Sequence, residues 1–246
     1  MKCIYCNNEE NLTVSDIIPW ALTGAKLRKR FVCKYHNGFT NDHYERKMIE
    51  QLAVFRNQIG LTERDGDPVR YKAKIELDGY IVEEKTVSDI ESIVNPKNPF
   101  RTKDQEGHTV LIGDIDQLRK IKGASEEKIQ TINMANVEIS RVDDLRELLI
   151  SNEVLHAIAK IGYEWHCNYH NIEGYHSEKY HDIVEYILTP DSESAFVDVV
   201  VSGGAYAILD SCARTGSNMA FEYDDIDGFT YVIFSLFGVI IYKIRI

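Results

Sequence analysis

The chain has 246 residues, 44 % of them apolar and 27 % charged, with a net charge of −11. These proportions exclude a disordered, collagenous or coiled-coil chain, and the longest apolar run, residues 231–242, falls short of the roughly 20 residues that span a bilayer. The acidic excess opposes nucleic-acid binding by the chain as a whole, but it is unevenly spread: residues 1–60 hold nine Lys/Arg against six Asp/Glu, and residues 61–246 hold 19 against 33.

Residues 1–62 read as one unit. Cys3 and Cys6 form a short knuckle. Residues 14–22 are apolar with Pro19 inside, which predicts an extended or bent segment and not a helix. Lys26, Arg28, Lys29, Arg30 and Lys34 cluster around Cys33, either as phosphate contacts or as a solvated surface. Residues 41–59 read as a helix, with Met48, Ile49, Leu52, Ala53 and Phe55 near helical spacing and Gly60 past its end.

Residues 63–142 form a β-rich middle region. A turn at 65–68 precedes strands at 69–75 and 79–87. Residues 88–105 read as a loop, 109–112 as a strand, 114–122 as a helix stopped by Gly123, and 137–142 as a strand. Residues 143–246 make a C-terminal α+β region, and 63–246 also read as one domain. A helix is predicted over 143–165 and another over 177–188, where Tyr180, Ile183, Val184 and Ile187 share a face. Strands follow at 196–201, 205–209, 219–223, 229–234 and 239–246, with turns at 224–228 and at Gly238. The fold class is α+β, ending in antiparallel strands.

Four residues carry the strongest chemical signal. Cys3-x2-Cys6 and Cys33-x2-His36 are two pairs whose short gaps let both side chains of a turn face one ion. Zinc takes four N or S ligands tetrahedrally, and a closed shell of protein ligands is structural. So small a unit has little core of its own, so the metal contributes to its folding. With no apolar leader behind Met1, the expected compartment is the cytoplasm, where disulfides are disfavoured. Cys167 and Cys212 then read as buried free thiols, and His166, His170, His176 and His181 as surface or packing residues.

A knuckle, an extended segment, a second knuckle and a helix follow the treble-clef order, in which the helix begins near the second pair of ligands. With "CIYCNNEENLTVSDIIPWALTG" and "RFVCKYHNGFTNDHYE", residues 1–60 resemble the HNH endonucleases, the zinc-bearing branch of the His-Me finger nucleases. Leu12-Thr13-Val14-Ser15-Asp16-Ile17-Ile18-Pro19 matches their middle motif, and Asn37 falls on their Asn. "AIAKIGYE" at 157–164 and the tail "YVIFSLFGVIIYKIRI" resemble later parts of the longer bacterial members. The resemblance implies a ββα zinc finger that hydrolyses DNA phosphodiesters with Mg²⁺ or Mn²⁺, a helix residue helping to hold the ion.

The motif histidine is replaced here by Asp16, and the acidic position before it by Ser15. Asp16 is then a general base, a metal ligand or a relic of lost chemistry. Asn37, His43 and Glu45 are the other candidate catalytic residues. Asn41 and Asp42 also lie there, and the same cluster is open to reading as a helix cap. The alternative function is an inactive zinc finger that binds nucleic acid, or a protein through the acidic remainder of the chain.

Overall fold

A computed structural model describes residues 1–24, 26–58, 71–77, 80–87, 99–103, 106–121, 123, 125, 129–130, 137–140, 149–193, 196–200, 219–238 and 240–246. The chain divides into two compact units, one of residues 1–67 with 144–246 and the other of residues 68–143. The N-terminal finger thus shares a unit with the C-terminal region, and the middle of the chain is a unit of its own.

In the first unit, strand β1 (Leu12–Asp16) pairs antiparallel with β2 (Arg28–Cys33). Between them lies a single helical turn, α1 (Trp20–Thr23). This corrects the expectation of a non-helical stretch to residue 22. Pro19 does not break the turn but sits at its N-cap, where its fixed φ is compatible with a helix start. Gly24 closes the turn at φ 71°, the left-handed conformation that glycine takes without strain.

A helix follows directly: α2 (Lys34–Thr40), a π-helical turn (Asn41–Glu45) and α3 (Arg46–Gln51), with α4 (Ala53–Gln58) beyond a break at Leu52. The helix therefore starts seven residues earlier than its apolar stripe predicts. Asn41 and Asp42 are mid-helix residues and not caps, because Cys33 holds the N-cap position. The π turn widens the helix by one residue, and such bulges shift which side chains face inward. Here Tyr44 and Glu45 are buried while Asn41, Asp42 and His43 are exposed.

The middle unit contains two sheets among its described residues. Strands β3 (Tyr71–Leu77), β4 (Tyr80–Val87) and β7 (Val137–Ser140) pair antiparallel in the order β4-β3-β7. β5 (Phe100–Lys103) pairs with β6 (Thr109–Ile112). Residues 100–103, expected to be loop, are a strand because β6 supplies the hydrogen-bonding partner. Helix α5 is shorter than expected, Ile115–Leu118, with Asp114 accepting from the N–H groups of Asp116 and Gln117. The expected turn at 65–68 lies outside the described residues.

The C-terminal part of the first unit is built on helix α6 (Asn152–Tyr169), helix α7 (Ser177–Leu188) and a four-stranded antiparallel sheet. The sheet joins β8 (Val197–Val199), β9 (Met219–Ile226), β10 (Phe229–Leu236) and β11 (Ile240–Arg245) in the order β8-β11-β10-β9. The expected helix over 143–165 is interrupted at Ser151, whose backbone is extended and whose hydroxyl accepts from the N–H of Val154. A serine that caps a new start outcompetes continuation of the helix. The turn between β9 and β10 narrows to Asp227 and Gly228, both at positive φ, the geometry that suits a two-residue hairpin. The expected strand at 205–209 and Cys212 lie outside the described residues.

Helix α6 is the axis of this unit. One face meets the sheet: Trp165 stacks on Phe221 with ring centroids 4.6 Å apart, and Gly162 lets Ile244 approach closely. Another face meets the finger, where the Tyr163 hydroxyl donates to the carbonyl of Ile4 at 2.7 Å. Ile4, Ile17, Ile18, Leu22, Phe31, Tyr44 and Met48 share a continuous apolar core with Val154, Ala157, Ile158 and Ile161. The finger thus uses α6 as the second half of its core.

Candidate metal centre

The backbone of residues 3–8 turns tightly. The Asn7 N–H donates to the Cys3 carbonyl at 2.9 Å and the Cys3 N–H donates to the Asn8 carbonyl at 2.8 Å. Asn7 takes φ 60°, which an asparagine tolerates better than most residues. This turn presents Cys3 and Cys6 together. Cys33 ends β2 and His36 lies in the first turn of α2, so the strand–helix junction presents the other pair.

The four side chains converge. Cys3 Sγ is 3.8 Å from His36 Nδ1, Cys33 Sγ is 3.2 Å from the same nitrogen, and Cys6 Sγ is 4.0 Å from Cys33 Sγ. All four ligand atoms lie within 4.8 Å of one another. A tetrahedral ion with bonds of about 2.3 Å to sulfur and about 2.0 Å to nitrogen sets edges of roughly 3.6–3.8 Å, so the spacing fits a metal such as zinc.

The local chemistry agrees with that fit. Burial pushes the Cys3 thiol up to about 12, opposed in part by the Cys33 N–H that donates to its sulfur at 3.3 Å. A thiol so placed stays neutral unless a cation sits against it, and a coordinated thiol is deprotonated. Burial also lowers the His36 pKa, which leaves a neutral ring nitrogen to bind an ion at neutral pH. Tyr5 and Tyr35 flank the ring, with centroids 5.4 and 5.0 Å away.

Of the candidate catalytic residues, Asp16 lies on the hairpin and Asn37, His43 and Glu45 on the helix that follows it. Ser15 is fully buried, whereas Asp16 is partly accessible, as the two-residue period of a strand requires. The Asp16 carboxylate meets the Nε of Arg28 at 2.6 Å. Val14 pairs with Arg30 and Asp16 with Arg28 across the hairpin, and Val14, Arg28 and Arg30 are exposed. Lys26 and Lys34 are exposed as well, while Lys29 is half-buried, 3.5 Å from Asn171 and over the ring of Phe31.

Glu45 points into the protein. Its carboxylate lies 2.7 Å from Nζ of Lys160, which is itself fully buried. His43 is on the outside, its ring stacked on Phe39 at 4.2 Å and its Nδ1 2.9 Å from the Phe39 carbonyl. Asn37 is half-buried in α2, and its carbonyl accepts from Thr40 and Asn41 within the helix.

Sequence reasoning missed the polar cluster under the hairpin. Lys160 donates to the carbonyls of Asp16 and Ile17 at 2.7 and 3.3 Å and lies 3.3 Å from Glu164. Glu164 accepts from Ser15 at 2.9 Å and from Tyr5 at 3.2 Å. Burial pushes Glu164 up to about 7 against the opposing pull of Lys160 and the Ser15 hydrogen bond. Burial alone would lower the Lys160 pKa, but the adjacent Glu164 and Glu45 carboxylates outweigh it and raise it. The signal was present in the apolar character of residues 154–163: a helix apolar on most sides is buried, and so are the charges it carries.

His166 is a packing residue, held between the hydroxyls of Tyr223 and Tyr180 at 3.0 and 3.1 Å, and burial lowers its pKa to about 4. His170, His176 and His181 are exposed, and Cys167 is a buried free thiol. No helix among the described residues is long and apolar enough to cross a membrane. No family model, curated protein or solved structure matches the chain.

Proposed function

We propose that this chain is an HNH-like nuclease-type protein. Zinc at Cys3, Cys6, Cys33 and His36 holds a treble-clef frame, the outer face of the hairpin takes the phosphodiester backbone of DNA, and Asp16 carries the hydrolytic chemistry. The observation that carries this reading is the row of Asp16, Arg28 and Arg30 on one accessible hairpin face, on a strand whose last residue is the candidate metal ligand Cys33. Three sulfurs and an imidazole suit zinc better than a hard ion, and four protein ligands suit a structural role.

Arg28 and Arg30 would grip phosphate oxygens with planar, bidentate donors. A phosphate that engages Arg28 competes with Asp16 for its guanidinium. The Asp16 carboxylate then either accepts a proton from water or holds a divalent ion. Mg²⁺ or Mn²⁺ bound there would stabilise charge on the scissile phosphate and the leaving oxygen. Glu45 does not join this assembly, because its carboxylate is engaged with Lys160.

A second reading, a nucleic-acid-binding module without hydrolysis, is favoured by the inward commitment of Ser15 and Glu45 to Glu164 and Lys160. One experiment separates the two. Supercoiled plasmid is incubated with Mg²⁺ or Mn²⁺ and wild type, Asp16→Ala, Asp16→His or Arg28→Ala/Arg30→Ala. Nicking by wild type that vanishes in Asp16→Ala is the expected result. DNA binding without nicking, with the slope of log K against log salt reduced by about 0.9 for each arginine lost, selects the binding module. No binding at low salt by any protein overturns both readings.

A further inference from the structure

Under the hairpin the protein has built a seat for a cation and filled it with its own side chain. The ammonium of Lys160 is fully buried. Four oxygens surround it: the carbonyls of Asp16 and Ile17 at 2.7 and 3.3 Å, Glu45 Oε1 at 2.7 Å and Glu164 Oε2 at 3.3 Å. They come from three separate segments, the end of β1, the π turn and α6 itself. An ammonium has three N–H donors, so four converging oxygens exceed what it can satisfy. Its single positive charge also faces two carboxylates. A buried ion pair needs one acid for one base, and a second carboxylate with two carbonyls is surplus to that purpose.

The same set fits a different occupant. Two carboxylates and two carbonyls are the hard oxygen donors that Mg²⁺, Mn²⁺ and Ca²⁺ take, and two carboxylates balance two positive charges. The hydroxyls of Ser15 and Tyr5 donate to Glu164 and hold that carboxylate in place, as outer partners orient metal ligands. Metal–oxygen bonds of about 2.1–2.5 Å require the two nearer oxygens to move inward by roughly 0.2–0.6 Å and the two farther ones by roughly 0.8–1.2 Å. The π turn, the strand end and the Glu164 side chain belong to separate segments, and each can contribute to that adjustment.

We infer that the position of Lys160 Nζ is a latent divalent-cation site, and that Lys160 serves there as a tethered internal cation. It locks β1, the π turn and α6 together without a dissociable ion. Truncating the side chain exposes a site for a hard divalent ion between Glu45, Glu164 and the Asp16 carbonyl. This inference is independent of whether Asp16 hydrolyses anything.

The test uses the full chain with its Cys/His centre loaded with zinc and free metal removed, and Mn²⁺ as probe, followed by the electron paramagnetic resonance signal of unbound Mn²⁺. Lys160→Ala is expected to bind about one equivalent more Mn²⁺ than wild type, at least about tenfold tighter than any wild-type site, and Lys160→Ala/Glu45→Gln to lose about tenfold or more of that affinity. If Lys160→Ala does not fold alone, refolding in Mn²⁺ is expected to restore the wild-type circular dichroism. The inference is overturned by folded Lys160→Ala that binds no additional Mn²⁺. It is equally overturned by Lys160→Ala that stays unfolded in Mn²⁺, or by wild type that binds Mn²⁺ in a manner abolished by Glu45→Gln.

Discussion

Glu164 is a fully buried carboxyl group, and its neighbours decide how it titrates. Burial raises its pKa from the ordinary 4.5 to about 7, because the charged form loses its hydration and also faces Glu45. The folded state therefore holds this proton more tightly than the unfolded chain does. The resulting stability is fully present below the unfolded value and is lost as pH rises through about 7. Its size is on the order of 3 kcal/mol. Wild type is thus expected to lose stability to urea between pH 5 and pH 8 relative to Glu164→Gln, whose amide does not titrate. A metal held by Cys3, Cys6, Cys33 and His36 would loosen in acid and act in the opposite direction, so the difference between the two proteins is the quantity to measure. A parallel pH dependence in both would mean that Glu164 stays ionised throughout.

At the scale of elements, α6 is pressed between finger and sheet, and glycine sets how closely it approaches the sheet. A Cβ at Gly162 would stand 2.9 Å from Cγ2 of Ile244 and 3.1 Å from its Cβ and Cδ1. These are side-chain atoms of a fully buried residue, with little room to yield. Gly162→Ala is expected to destabilise the protein by about 1–3 kcal/mol from overpacking, less the gain of up to about 1 kcal/mol that alanine brings to a helix interior. Ile244→Ala removes the obstructing atoms and leaves a cavity. Because the introduced methyl group fills part of that cavity, urea unfolding of the double variant should show less than the sum of the two losses. Strict additivity would place the methyl group elsewhere.

At the scale of the whole molecule, the finger has no independent core. Phe31, Tyr44 and Met48 belong to the same apolar cluster as Val154, Ile158 and the strands β10 and β11. Removing the metal should therefore loosen α6 along with the hairpin. Cys3, Cys6, Cys33 and His36 all lie in residues 1–67, and the middle unit contributes none of them. Chelation at neutral pH, or Cys33→Ser, is expected to abolish amide hydrogen-exchange protection in β1, β2 and α6 while β3, β4 and β7 keep theirs. Loss confined to residues 1–58 would mean that the C-terminal half supports itself; equal loss in the middle unit would mean that the two units unfold together.

Much of the metal centre was legible in the sequence because its information is local. A two-residue gap places two ligands on one turn whatever surrounds it, and two such gaps converge whenever the chain between them returns as a hairpin. Helix α7 was legible for a similar reason: its apolar stripe repeats over 12 residues and a proline follows. Helix starts were less legible. Cys33 begins α2 without a capping side-chain hydrogen bond, so the apolar stripe missed this start and only the treble-clef order, with its helix beginning near the second ligand pair, pointed to it.

Once residues 12–16 form a strand, alternation sends Ser15 and Asp16 to opposite faces. Only the tertiary structure decided what each would meet. Lys160 and Glu164, four apart on a helix, form a pair that on most helices faces water. Here α6 lies between a sheet and the finger, and that burial brings Glu45 and two backbone carbonyls to the same ammonium. The ligand spacing by itself determined where a metal could bind. Which charged residues face solvent and which hold the interior together was decided by packing between segments more than 100 residues apart, because no local pattern records what a distant segment will cover.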